Sequence, residues 1–399
     1  MAQHAAQRPP QLRSPAVFMR GGTANAVVFH QKDLPADRKQ WDAIFLAAIG
    51  SPDPYGRQLD GMGGGYTAVS KVCVIGPSTR DDADIDYTFA QRPIKELRVE
   101  YAANCGNMSA AMGPFAVDEG LVPVREADAN GEALVRIHNT NTKKVIHARF
   151  PLVNGVAAVD GDLEIPGVGG TGAPVRLEFL SPGGAATGKL LPTGNVRDTL
   201  DVPDVGKIEV SMIDAANPCV FVRARDVGLQ GTEQPADVEA RADVMAKFAA
   251  IRCAASVAMG ITRDVNEAAT RMTNPSIGYV APPQDWTLSS GERRNASDID
   301  ITGRMIARGQ AHRDMPLTRS LCMAVASRIK GTIVHEATRA TDNPDAELRI
   351  GMPAGVITAA AEVRLTGGQW TALRGSFLRT QRRLFEGSVL VRASQTLPA

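Results

Sequence analysis

Two stretches of this chain repeat one another at long range. "DIDYTFAQRPIKELRVEYAANCGNMSAAMGPFAV", from Asp84, and "DIDITGRMIARGQAHRDMPLTRSLCMAVASRI", from Asp298, each open with Asp-Ile-Asp, continue as a strand-like segment and close in a helix of small residues. Self-similarity at this spacing is what two halves of one design leave in a sequence. Carrying the interval from Asp86 to Cys105 over to Asp300 arrives at Arg319. Arg319 or Ser320 is therefore the expected counterpart of Cys105, and the second half has no second thiol there.

Strand signals outnumber helix signals. "KVCVIG" (71–76), "DIDYTFAQ" (84–91), "ELRVEY" (96–101), "VRLEFLS" (175–181), "KIEVSMID" (207–214), "CVFVRA" (219–224), "ELRIGM" (347–352) and "GSVLVR" (387–392) alternate or run apolar over strand lengths. Helical patterns cover 37–49, 106–119, 236–257 and 318–330. The expectation is an α+β chain built mostly on antiparallel sheet. Its 399 residues suffice for two or three domains.

Several function classes recede. The net charge is +1 with no Lys/Arg block, which argues against nucleic acid or an anionic membrane as partner. No apolar run approaches the length of a membrane span. The opening "MAQHAAQRPPQLRS" lacks the apolar core of a signal peptide. Cysteines at 73, 105, 219, 253 and 322 show neither disulfide nor CxxC spacing, and the six histidines have no zinc pattern. A cytoplasmic protein without a metal is expected. A homodimer is allowed by the sequence without being specified.

Three segments carry candidate chemistry. Cys105 stands between polar, turn-forming residues where a helix begins; the positive end of a helix favours a thiolate and attracts carboxylates. A buried structural cysteine is the competing reading, and it suits Cys73, Cys219, Cys253 and Cys322, which lie inside strand or helix patterns. "DGMGGGYTAVSKV" (60–72) ends in Ser70-Lys71 at a strand start. Such a lysine is either a solvated edge residue or, desolvated in a cleft, a general base. "FMRGGTANAVVF" (18–29) is an apolar strand broken at Arg20-Gly21-Gly22-Thr23, either a hairpin turn or a carboxylate-binding loop.

Together, and in this order, these segments resemble the PrpF family of isomerases. The chain has "MRGGTANA", "GSPDPYGRQLDGMGG", "VSKV" and "NCGNMSAAMGPFAV", then "MIDAANPCVFV", "IGYVAPP", "LRIGMPAG" and "RTQRRLFEG". The resemblance implies a fold similar to diaminopimelate epimerase. That is two pseudo-symmetric domains, 1–190 plus 376–399 and 191–375, each a barrel-like sheet around a central helix, with the site in the cleft between them. It implies no cofactor, a small unsaturated di- or tricarboxylate as substrate, and Lys71 and Cys105 as the acid/base pair. Arg20, Gly21, Gly22, Thr23, Asn25, Ser70, Asn104, Gly106, Asn107, Met108, Arg319 and Ser320 would bind the substrate.

The chain departs from the family pattern where the site is expected. Ala24, Asn25 and Ala26 replace serine, lysine and glycine. Tyr66 and Val69 stand for small or hydroxyl residues, Met352 and Ala354 for histidine and serine, and Arg319 is added. These changes imply a rewritten pocket around a retained proton-transfer pair. The length favours the methylaconitate isomerases within the family. The rival readings are a tautomerase of a ring-cleavage product such as 4-oxalomesaconate and a non-catalytic protein that binds a polycarboxylate.

Overall fold

The computed structural model describes residues 10–91, 94–101, 105–271, 274–307, 309–343 and 346–396. The chain divides into two compact units, Met1–Leu177 with Arg379–Ala399, and Glu178–Leu378. The sequence places these boundaries at 190/191 and 375/376.

Unit 1 opens with a hairpin of β1 (Gln11–Gly21) and β2 (Ala24–His30). β2 runs parallel to β3 (Lys71–Pro77), β3 antiparallel to β4 (Ile85–Ala90), β4 parallel to β5 (Glu132–Asn139), and β5 antiparallel to β6 (Lys144–Val153). Parallel neighbours need a crossover connection. Each crossover here carries a helix, α1 (Trp41–Ile49) between β2 and β3 and α2 (Gly106–Asp118) between β4 and β5. The sheet is mostly antiparallel, as expected, with parallel pairs where the helices cross over.

The two helices sort the side chains of the sheet. Val72, Val74 and Ala90 join Phe29, Trp41, Ile44 and Phe45 in a core under α1. Strand alternation then turns Lys71, Cys73, Tyr87 and Phe89 toward the other side. There α2 is buried on every face from Met108 to Val117. Its run of Ala, Gly and Ser lets β1, β5 and β6 approach closely.

Unit 2 repeats this order. β7 (Gly206–Ala215) and β8 (Asn217–Arg223) form a hairpin, β8 is parallel to β9 (Ser276–Ala281), and β9 is antiparallel to β10 (Ile301–Ala307). β10 is parallel to β11 (Leu348–Met352), and β11 is antiparallel to β12 (Gly355–Thr366). The crossovers carry α3 (Ala242–Ala258) and the buried α4 (Leu317–Arg328).

The two halves also share a polar clamp. Asp84 accepts the Arg136 backbone N–H at 2.7 Å and its guanidinium at 2.6 Å. Asp300 does the same with Arg349 at 2.9 and 2.7 Å. Burial acts to raise both carboxyls, but the arginine partners hold both below the ordinary range. Asp300 thus corresponds to Asp84, not to Asp86. The residues preceding the central helices are Cys105 and Pro316. Pro316, rather than Arg319 or Ser320, is the counterpart of Cys105; Arg319 sits one turn in, where α2 has Met108.

Two further expectations change. "ELRVEY" is no strand: within it the pairing among described residues is one bridge, Gln91 to Glu100. Its alternation is a set of local ion pairs, Arg98 with Glu96 at 2.6 Å and with Glu100 at 2.8 Å. The pattern at 236–257 splits into a short helix, Pro235–Glu239, and α3.

Candidate active site

Lys71 opens β3, opposite Ala26 in the parallel register with β2. Its Nζ donates to Gln91 Oε1 at 2.8 Å and lies 5.2 Å from the Phe89 ring centroid. Cys73, two residues on and facing the same way, is fully buried. Burial pushes its thiol far up; Cys105 nearby adds to this and Lys71 opposes it. Both Lys71 and Cys105 therefore lie within electrostatic reach of one buried thiol. Tyr87, 3.8 Å from Cys73 Sγ at its hydroxyl, is raised by the same burial.

Cys105 has extended backbone (φ −108°, ψ 98°) and is half-buried. Its carbonyl accepts the Ser109 N–H at 2.9 Å and the Ser109 hydroxyl at 3.1 Å. Its side chain caps no helix N–H, and the first turn of α2 holds no acidic residue. Among the described residues of its own sequence, the positive helix end beside the thiol is thus left uncompensated.

The β1–β2 turn lies across this helix start. Gly22 adopts φ +52°, where a side chain is strained, and a Cβ there would crowd the Asn107 amide, so glycine is favoured. Asn107 Nδ2 donates to Thr23 Oγ1 at 3.0 Å, and Asn107 Oδ1 accepts from Arg379 Nε at 3.2 Å. The structure so brings together Cys105, Gly106, Asn107, Gly21, Gly22 and Thr23 of the expected set, while Lys71 and Cys105 share only their electrostatic reach of Cys73.

Others take different places. Arg20 Nη1 is committed to Gly22 O, Thr380 O and Thr380 Oγ1 at 3.0–3.2 Å, which ties the turn to the C-terminal segment. Burial lowers its guanidinium, as does Arg382 facing it. Asn25 pairs with Arg20 across the hairpin, on the face opposite Ala26 and Lys71. Ser70 is 1% exposed and donates to Gln58 Oε1 at 2.6 Å, so it holds a loop and offers no hydroxyl to a ligand. Met108 is fully buried. Asn104 lies outside the described residues. In unit 2, Ser320 is fully buried with its hydroxyl on Leu317 O at 2.8 Å. Arg319 Nε donates to Ser276 Oγ at 3.1 Å, and Ser276 opens β9 as Lys71 opens β3. Met352 Sδ accepts the Met315 N–H at 3.0 Å, just ahead of α4.

Sequence reasoning missed Gln58, Gln91 and Arg379. Gln58 is buried in left-handed backbone (φ 53°) and gathers Ser51, Gly65 and Ser70 by hydrogen bonds of 2.6–3.0 Å. Arg379 sits in the "RTQRRLFEG" stretch, which carried a signal without a role. Among the described residues no group of three or more His, Cys, Asp or Glu could hold a metal ion, and no helix is long and apolar enough to cross a membrane. An amine, a thiol and an open helix end suit proton transfer next to a carboxylate, with the N–H groups holding developing negative charge.

The model of the PrpF protein family matches residues 11–392. The chain belongs to this family. It is 42% identical over 383 residues to 3-methylitaconate isomerase of Eubacterium barkeri, a match covering 96% of this chain and 98% of that protein. It is 37% identical over 390 residues to 2-methyl-aconitate isomerase of Shewanella oneidensis, covering 96% and 98%. The crystal structure of methylitaconate-delta-isomerase superposes with a TM-score of 0.89 at 41% identity, covering 98% of each chain. This PrpF-family protein is an isomerase with an α+β fold.

Proposed function

We propose that this isomerase moves a proton within a small unsaturated di- or tricarboxylate, such as 2-methylaconitate or a relative, without a cofactor. Lys71 and Cys105 form the proton-transfer pair. One of them takes a proton from the allylic carbon, and the electron pair spreads into the neighbouring carboxylate as a dienolate. The N–H groups at the start of α2 stabilise that charge. A proton then returns, at the far allylic carbon to shift the double bond, or after rotation to change its geometry. One C–H bond breaks and one forms, so the product is an isomer.

What supports this reading is that Lys71 and Cys105 both lie within electrostatic reach of Cys73, and that the Cys105 side chain leaves the start of α2 uncapped. The names of the relatives support the substrate class. The test is incorporation of solvent deuterium into aconitate, 2-methylaconitate, methylitaconate and 4-oxalomesaconate. Exchange into at least one, lost in Lys71→Met, is expected. No exchange into any of the four overturns the reading and leaves polycarboxylate binding.

A further inference from the structure

The contacts of Lys71 point to a residue that acts through it. Its Nζ meets an amide oxygen and a ring face, and among the described residues no carboxylate forms an ion pair with it. Among the described residues, Cys73 on its own strand lies within electrostatic reach of Lys71, and Tyr87 on β4 and Cys105 at the start of α2 lie within reach of Cys73 in turn. Glu100, whose backbone bridges to Gln91, is paired with Arg98 at 2.8 Å.

Gln91 is held firmly for such a role. Its backbone exchanges two hydrogen bonds of 2.9 Å with Glu100, which fixes the root of the side chain. Its Nε2 points to Thr67 O at 3.5 Å, in the 3-10 turn Thr67–Val69 that leads into Ser70 and Lys71. With the amide nitrogen directed there, its oxygen is directed at Lys71. On the far side of the same turn, Ser70 is held by Gln58. The amine is thus positioned from both ends of the segment that carries it.

We infer that Gln91 is the positioning residue of Lys71, a neutral acceptor that aims the amine while withholding a fixed counter-charge. The inference rests on the reading of Lys71 as a proton-transfer group. A base must be able to lose its proton. A carboxylate in the place of the amide, nearly the same in shape, would hold the lysine charged; an opposite charge at hydrogen-bond distance displaces such a titration by about 1–3 pH units.

The experiment compares wild type, Gln91→Glu, Gln91→Met and Lys71→Met. Acetylation of Lys71 by acetic anhydride, quantified by peptide mass spectrometry across pH, reads the amine without needing a substrate. In Gln91→Glu the half-maximal pH of labelling should rise by about 1–3 units. Deuterium exchange into the same four acids should fall at neutral pH and recover as the pH is raised. Gln91→Met should lower kcat by about 100-fold, the effect of a misplaced catalytic group, with KM little changed. An unchanged labelling curve in Gln91→Glu overturns the inference even if Lys71→Met is inactive. Full exchange activity in Lys71→Met removes the reading of Lys71, and the inference with it.

Discussion

Gly21→Ala tests how closely the start of α2 is set by β1. A Cβ at Gly21 would stand 2.6 Å from Asn107 O, 3.1 Å from Met108 Cα and 3.2 Å from Ala111 Cβ. The nearest atom is backbone, so no side-chain rotation relieves the contact. Ordinary contact begins near 3.4 Å, so the first turn of α2 must withdraw by about 0.8 Å. The backbone at Gly21 is in a range open to alanine, and the effect is therefore steric alone. Overpacking of this kind costs about 1–3 kcal/mol. The same movement carries Cys105, and a displacement near 1 Å at a catalytic group lowers turnover about 100-fold. Urea denaturation and deuterium exchange into the four acids measure the two effects. Gly169→Ala is the control, since nothing lies within 4 Å of its Cβ and its effect should stay within about 0.5 kcal/mol. A Gly21→Ala protein with native stability and full exchange would refute the idea that β1 sets the helix start.

Two other outcomes follow from the same structure. At neutral pH, Cys105 should be alkylated by iodoacetamide faster than the fully buried Cys73, Cys219 and Cys322, and an unsaturated tricarboxylate should protect it; equal labelling of all four would count against a reactive thiol. In unit 2, the hydrogen bond from Arg223, reinforced by Arg197, holds the Glu336 carboxyl down to about 2. A depressed carboxyl contributes stability above its ordinary value near 4.5 and loses it as the pH falls toward about 2. Glu336 is exposed, so Glu336→Gln should cost no more than about 1 kcal/mol at neutral pH. In urea titrations its difference from wild type should vanish toward that lower limit, and a constant difference would sink the assignment.

The parts legible in the sequence were those with local punctuation. Cys105 precedes α2 because a turn-forming stretch meets a run of small residues, and Lys71 opens β3 because the glycine-rich loop ends there. The duplication was visible, but its register was not. The identical Asp-Ile-Asp tripeptides suggest Asp86 with Asp300, whereas the equivalence is fixed by Arg136 and Arg349, far along the chain. Asn25 could not be placed, since one step in a hairpin moves a side chain to the other face. Ser70 stands among the expected substrate-binding residues because its partner, Gln58, which occupies its hydroxyl, is reached only by a fold in the intervening loop. Gln91 lies past the end of β4 and is meaningful only through Lys71.

The missing cap of α2 has a consequence for rigidity. A serine or aspartate at position 105 would occupy the first N–H groups and steady the helix by about 1 kcal/mol. Cys105 leaves that task undone. An anion that settles on those groups finishes the helix as a capping residue would, so ligand and secondary structure complete each other. The empty protein should fray first at this turn, and hydrogen exchange at Asn107 and Met108 should slow when a carboxylate is bound.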